Sequence, residues 1–480
     1  MNNKYIVALD QGSSSSRAFA IDEHGKIVAR ASHMVDTIRP AAGCAEIDAS
    51  KLLQGQLSVL DTVLDQVGAN QVVAIAVSSQ RSTIVFWDRR TGQALAPALS
   101  WQDGRALKQS QTVALTQEEV HKITGLYNTP FYSAAKIKWT LEHVRAVAQA
   151  AEENRLCVGP VASFLIWHLT KGAVFACDST QAQRTLLFNI NTFQWEPRLL
   201  KAFEIEQSWL PELKKTADDY GVYKYKQAEI AIRVCVGDQQ AALCALQVQL
   251  GDSCINYGTG AFFMRHIGNQ GHFLPGMLTS VAASKNGTPE YLLEGPLNAC
   301  ATIFTWLKTL GVSVTTEQLD DICTTAKDPI LFLPALGGLG APYWDFKISP
   351  VMAGFSPHTT QADIVAGVVD GIACLMADII FYTKKAGLDS TNIKVTGGLS
   401  NSQVLLHAQA DILQKRLLPY VEYESSAMGG ALLAASSLSI ETDSWQTLQP
   451  LTEVNPVLSA DKAQIKYRAW QEFVKWCQTR

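Results

Sequence analysis

Two stretches of this chain repeat one pattern, a buried strand, a turn rich in glycine and hydroxyl residues, and a second strand. The first is YIVALDQGSSSSRAFAIDEHG. Residues 5–9 are apolar, Gly12 and four serines turn the chain, and residues 18–21 resume the strand. The second is SCINYGTGAFFMRHIGNQG, again strand, glycine turn, strand. KLLQGQLSVLDTVLDQVG carries Leu and Val at helical spacing, and VVAIAVSSQ is the continuous apolar run of a strand covered on both faces. Strands alternate with helical segments from there, which is an α/β pattern. A chain of 480 residues has room for two domains. The divide falls just after VCVGDQQ, so we expect halves of 1–245 and 246–480. A third turn, TGG in IKVTGGLSNS, ends another buried strand, and TTEQLDDICTTAKDP reads as a polar surface helix and loop.

Charge and cysteine content narrow the function. The net charge of −4 lacks the basic balance of a nucleic-acid partner. The 9 histidines show no metal-ligand spacing, and the 10 cysteines include no CxxC pair. Cys235, Cys244, Cys254 and Cys374 sit in apolar runs and read as small core residues, which suits a reducing cytoplasm. MNNK and the short apolar run after it do not form a signal peptide. IVAGVVDGIACLMADIIFY contains Asp370 and Asp378, so it is expected to be a buried core helix and not a membrane span.

Turns of Gly, Ser and Thr point backbone amides and hydroxyls into one space, where they can hold phosphate oxygens. DQGSSSSR, YGTGAF and TGGLSNS are three such turns, all at strand ends. No GxxxxGK[ST] occurs, and neither GGLGAPYWD nor YGTGAF satisfies GxGxxG. What remains is a nucleotide site of the actin type, with one hairpin in each domain.

The chain resembles the FGGY family of carbohydrate kinases, and within it is most similar to glycerol kinases. The matching segments run in family order: IVALDQGSSSSRA, AVSSQRST, SWQDGRA, FYSAAKIKWTLEH, STQAQRTLLFNINTFQW, VGDQQAAL, NYGTGAFF, LFLPALGGLGAPYWD, VTGGLSN and AMGGALLAA. The resemblance implies two actin-like (ribonuclease H-like) domains with the active site in the cleft between them. It also implies ATP and Mg²⁺ as cofactors, and transfer of a phosphoryl group to a small polyol or sugar.

It implies the following roles. Asp10 stands at the metal end of ATP, and Ser13, Ser14 and Arg17 contact phosphate oxygens. A carboxylate beside a metal ion and a cation facing the γ-phosphate are what phosphoryl transfer needs. Asp238 is the catalytic base, although an Asp before QQAALCAL would also serve as a helix N-cap. Gln239 hydrogen-bonds the substrate, Arg81 donates to its hydroxyls, and Trp101 and Phe262 face its carbon skeleton. Asp103 orders this wall; Trp101 as a plain core aromatic is the competing reading. Lys136 and Trp139 are expected to be structural. Gly258 and Thr259 form the second phosphate turn, and Gly397 and Gly398 let the backbone approach the nucleotide. Gln403 replaces a usual asparagine near adenine, and Ala301 a usual glycine lining the nucleotide pocket.

Two departures touch the substrate. Glycerol kinases usually read QRE and PYFS, where this chain has Ser82 in QRS and Phe131 in PFYS. A carboxylate acceptor and a phenol are lost, and the smaller serine leaves room for a longer polyol or a ketose. Beside a glycerol-type kinase, two readings stay open: a ketopentose or tetritol kinase of the same family, and a non-catalytic actin-like regulator that binds sugar or nucleotide. Partners are expected to be the substrate and ATP, with no nucleic acid and no membrane; a homo-oligomer is left open.

Overall fold

The structure, a computed structural model, describes residues 4–271, 273–284, 288–420, 424–443, 445 and 450–479. The chain forms two compact units. The first is Met1–Gln247 with Ser280–Tyr291 and Glu424–Thr447; the second is Val248–Thr279 with Leu292–Tyr423 and Leu448–Arg480.

The first unit opens with three antiparallel strands, β1 (Tyr5–Gln11), β2 (Ser15–Ile21) and β3 (Ile27–Met34). Six of the seven residues of β1 are buried, as its apolar run requires. Helix α1 (Ala49–Val67) begins where the Asp48 carboxylate accepts the amides of Ser50 and Lys51. It buries Leu52, Val59, Leu60, Val63 and Leu64, a stripe at helical spacing. Strand β4 (Val72–Ser79) then pairs in parallel with β1. Helices α2 (Ser133–His143) and α3 (Ser179–Gln183) follow, then strands β5 (Val222–Tyr225) and β6 (Ala228–Gly237) and helix α4 (Asp238–Ala245). The sheet order is β5-β6-β4-β1-β2-β3. The register sets Gln11 beside Ser79 and Ser79 beside Gly237, so three parallel strands end at one level.

A second six-stranded sheet contains β7 (Ser253–Tyr257), β8 (Ala261–Gly268), β9 (Leu278–Val281), β10 (Tyr291–Leu297), β11 (Ile393–Thr396) and β12 (Leu417–Pro419), in the order β9-β10-β8-β7-β11-β12. Its antiparallel hairpin β7–β8 lies beside parallel β11, which pairs in parallel with β12. This is the arrangement of β1–β2, β4 and β6, so the repeat in the sequence is a repeat of sheet topology. Helices α5 (Ala301–Thr309), α6 (Gln361–Lys385) and α7 (Gln403–Leu413) complete this unit. Helix α6 is long and apolar enough to cross a membrane by length and composition, yet most of it is buried within the fold. Its Asp378 accepts the hydroxyls of Tyr343 at 3.0 Å and Tyr467 at 2.5 Å and the Trp470 indole N–H at 3.0 Å, and burial pushes its carboxyl up to about 6. Lys466 pairs with Asp370 at 2.6 Å. The polar 315–329 stretch forms a short helix, Leu319–Cys323, whose Asp320 accepts the Ser402 hydroxyl and the Gln403 and Val404 amides at the start of α7.

The chain first leaves the first unit after Gln247, and α8 (Ser425–Ser437) brings it back. Residues 424–443 and 445, assigned by sequence order to the C-terminal half, therefore group with the first unit. The reason is the run AMGGALLAA, whose small residues let α8 lie against α4, β1 and β4. A Cβ on Gly429 would lie 1.7 Å from the carbonyl oxygen of Ala241.

Candidate active site

The first unit gathers most of the expected residues at the carboxyl ends of β1, β4 and β6. Asp10 is 2% exposed and Arg17 lies opposite it across the hairpin. Arg17 Nη2 donates to Asp10 Oδ2 at 2.5 Å, and Arg17 Nη1 donates to Glu424 Oε2 at 2.5 Å. Burial pushes the Asp10 carboxyl up to about 6; Arg17 opposes this, and the charges of Asp238 and Glu424 add to it. Acid outweighs base here, a balance that favours a further cation. The buried Nε of Arg17 has no hydrogen-bond partner among the described residues.

Asp238 is the first residue of α4, and Gly237 occupies the N-cap position instead. The Asp238 carboxylate accepts the Gln239 amide at 2.8 Å and lies 3.7 Å from Arg81 Nε. Arg81 and Gly237 are close neighbours, because a Cβ on Gly237 would meet Arg81 Cδ at 2.9 Å. Gln239 Oε1 is buried without a partner among the described residues, as suits a group meant for a ligand.

The hydroxyls of the 13–16 run divide their work. Ser13 accepts the Trp101 indole N–H at 2.8 Å and donates to Gln80 at 3.3 Å, so its hydroxyl is engaged within the protein. Ser14 is exposed, and Ser16 is buried and donates to Gln11 at 2.7 Å. Trp101 is 38% exposed, which removes the core-aromatic reading. Asp103 is fully buried; it accepts two Arg105 nitrogens and the Ala45 amide, and so orders the turn that follows Trp101. Phe131 is 46% exposed, with its ring against Gly104 of the same turn.

Ser82 has a φ of 64°, a left-handed conformation that non-glycine residues adopt only when held. The holder is Lys136. Its fully buried Nζ donates to the carbonyls of Ser82 at 3.2 Å and Ser100 at 2.6 Å, and Ser133 Oγ also donates to Ser82. Trp139 lies under the Arg105 guanidinium at 4.9 Å. Both residues have the structural placement expected of them, Lys136 holding the Ser82 and Ser100 carbonyls and Trp139 the Arg105 guanidinium. Burial lowers the Lys136 ammonium from its ordinary 10.5 to about 7, with Asp103 opposing. Between those values the unfolded chain binds the extra proton. This contribution to stability is therefore present above 10.5 and lost as pH falls through about 7. We expect Lys136→Met to flatten the rise of stability between about pH 7 and 9 and to lower stability at the alkaline end, where the Ser82 and Ser100 carbonyls each lose one donor and keep another, the Ser133 hydroxyl and the Asp103 amide. Urea midpoints across that range check this, and an unchanged pH slope contradicts it.

The second unit holds the remaining expected residues. Gly258, Thr259 and Gly260 turn β7 into β8, and the Thr259 carbonyl accepts the amides of Cys300 at 3.0 Å and Thr302 at 3.3 Å. The Ala301 amide donates to Gly258 O at 3.1 Å, so the start of α5 is fastened to the turn. Gly397 has a φ of 95°, and a Cβ there would meet the Tyr257 backbone at 2.5 Å, so its requirement is internal to the fold. Gly398 faces open space. Gln403 is exposed at the start of α7. Phe262 is half-buried on β8, in the second unit, whereas the other expected substrate residues are in the first.

Five residues were not singled out by the sequence reading. Glu424 binds Arg17 from 407 residues away. Gln80 joins Ser13, Gly12 O and Thr83. Asp178, whose carboxyl burial pushes up to about 6, and its neighbours Thr180 and Gln181 brace the ends of β4 and β6. Gln80 lies in AVSSQRST and Thr180 and Gln181 lie in STQAQRT, segments quoted above for the resemblance, whereas Glu424 and Asp178 carried no signal.

Comparison with known proteins decides the family. Residues 5–245 match the N-terminal domain of the FGGY family of carbohydrate kinases, and residues 254–438 match its C-terminal domain. This chain belongs to that family. The kinase is 34% identical to the glycerol kinase of Shewanella pealeana, with 99% of both chains covered. It is 32% identical to a glycerol kinase of Saccharolobus islandicus, covering 99% of this chain and 97% of the relative. Among solved structures, Plasmodium falciparum glycerol kinase with ADP superposes with a TM-score of 0.92 at 25% identity, covering 99% and 98% of the two chains. A xylulose kinase from Lactobacillus acidophilus shares the fold, with a TM-score of 0.86 at 21% identity and coverage of 98% and 97%. The kinase therefore has the two-domain actin-like fold. It is a carbohydrate kinase, a phosphotransferase with an alcohol group of a polyol or sugar as acceptor.

Proposed function

We propose that this kinase transfers the γ-phosphoryl group of Mg-ATP to a primary hydroxyl of a small polyol or sugar, glycerol or a relative of it, with Asp238 as general base. The observation that carries the reading is the set Asp10, Arg17, Arg81 and Asp238, collected where β1, β4 and β6 end together. Arg81 donates to a substrate hydroxyl, Gln239 supplies a second polar contact, and Trp101, Phe131 and Phe262 face the carbon skeleton. Asp238 accepts the proton as the hydroxyl attacks. Arg17, Ser14 and the amides of the 10–17 turn hold phosphate oxygens. The Gly258–Thr259 turn holds others, and Ala301, Gly397, Gly398 and Gln403 lie along the nucleotide.

The residues fit Mg²⁺. Asp10 and its neighbours offer only hard oxygen donors, and the excess of acid over base there favours a cation. No group of three or more metal-ligating side chains is preformed among the described residues. That suits an ion held by one or two carboxylates together with phosphate oxygens. Asp10 would hold it, and when bound it would neutralise charge on the transferring phosphoryl group.

Ser82 and Phe131 favour a second substrate reading, a tetritol or ketopentose. Neither offers the carboxylate or phenol through which a pocket grips a three-carbon triol, and polar gripping of a hydroxyl discriminates by up to ~10⁴–10⁵. We expect ADP release to be faster with erythritol, ribitol, xylulose or ribulose than with glycerol, and Ser82→Glu to shift the preference toward glycerol. A wild type that prefers glycerol, with Ser82→Glu leaving the ranking unchanged, refutes the assignment of specificity to Ser82.

A further inference from the structure

Residues 178–185, DSTQAQRT, include none of the side chains assigned above to substrate or nucleotide, yet all but Ser179 are buried. Asp178, Thr180 and Gln181 are each 0% exposed. The Thr180 hydroxyl donates to Asp178 at 2.8 Å. Asp178 also accepts the Thr216 hydroxyl at 2.8 Å and the Gln181 amide at 3.0 Å, so its carboxylate is fixed from three sides. With its proton committed to Asp178, the Thr180 oxygen presents a lone pair elsewhere, and it accepts the Gly237 amide at 2.8 Å. Gly237 immediately precedes Asp238 and packs against the Arg81 side chain. The Gln181 side-chain amide donates to Ser79 O at 3.0 Å and Val236 O at 3.2 Å, tying the ends of the two strands that lead to Arg81 and Asp238.

We propose that Thr180 is a positioning residue for phosphoryl transfer: aimed by Asp178, its hydroxyl holds the Gly237 amide and so sets where Asp238 stands. This inference rests on the reading of Asp238 as the base. Placement matters at this scale, since about 1 Å of displacement can cost ~10²-fold in rate. Valine has the shape of threonine without the acceptor, so Thr180→Val tests the bond with little change of volume.

The experiment measures kcat, KM for ATP and the thermal midpoint for Thr180→Val, Thr180→Ser and Asp238→Asn. Thr180→Val is expected to lower kcat by ~10–100-fold with KM for ATP within about threefold, and Thr180→Ser to recover kcat to within about threefold. A role in folding alone would move the midpoint and the active fraction without this split or this rescue. If Thr180→Val does not fold, Thr180→Ala removes the same acceptor without bulk and is read in the same way. A Thr180→Val enzyme with wild-type kcat beside an inactive Asp238→Asn overturns the positioning role and leaves the base intact. Serine and valine variants that are equally slow also overturn it, because the methyl and not the hydroxyl is then at work. A fully active Asp238→Asn overturns the base reading and the positioning role with it.

Discussion

Asp238→Asn is expected to lower kcat by ~10²–10⁴ while leaving ATP binding within a few-fold of wild type. That loss is roughly 3–5 kcal/mol of barrier, the size of a general-base contribution. Asparagine keeps the volume of the side chain and can still accept the Gln239 amide at the start of α4, so the local fold has no reason to change. What it cannot do is take a proton from the attacking hydroxyl. Arg81, 3.7 Å away, loses its charge partner, which adds a modest rise in KM for the alcohol. Steady-state kinetics with both substrates varied, together with nucleotide titration of the variant, separate the two effects. An asparagine enzyme with wild-type kcat refutes the base assignment.

The second large effect concerns folding. Gly429→Ala is expected to be strongly destabilising, and Gly430→Ala neutral to mildly stabilising, by up to ~1 kcal/mol. The two glycines are adjacent on α8 and gain the same ~1 kcal/mol of helix propensity from alanine. They differ in what the new methyl meets. At 429 it would lie 1.7 Å from Ala241 O and 2.4 Å from the carbonyl carbon, inside any non-bonded contact, so α8 and α4 must part. At 430 the nearest atom is the Ala76 Cβ at 3.4 Å, an ordinary contact. Overpacking against rigid backbone costs ~1–3 kcal/mol or more, which exceeds the propensity gain. Thermal midpoints of the two variants check this. Equal midpoints would show that α8 does not seat against α4 as described.

This contrast also marks what a linear reading of the chain can and cannot find. The hairpins were legible because a buried apolar run that ends in Asp10, or in Tyr257 before GTG, has few local solutions. The junction at Asp238 was legible because VGDQQ reads as a strand passing directly into a helix, while the role proposed for its carboxylate came only with the family resemblance. Glu424 was not, since its partnership with Arg17 depends on a helix that returns from the far end of the chain. Thr180 was hidden for a different reason: a buried threonine carries no sequence mark of whether its oxygen serves a neighbouring amide. Ser82 lies between these cases. Its departure from the glycerol kinase pattern could be read, but its left-handed backbone, and the buried ammonium of Lys136 that holds it, could not.

The proposed reaction is transfer of the γ-phosphoryl group of ATP to a hydroxyl of a small polyol or sugar beside Asp238. It is tested most directly by incubating the wild-type chain with Mg-ATP and each of glycerol, erythritol, ribitol, xylulose and ribulose, then measuring ADP and phosphorylated product together. ADP release is expected to depend on at least one of these alcohols, with an equal amount of a monophosphate ester on a primary carbon. No alcohol-dependent ADP and no phosphate ester from any of them, with nucleotide still bound, would contradict it and favour a protein that binds without catalysing.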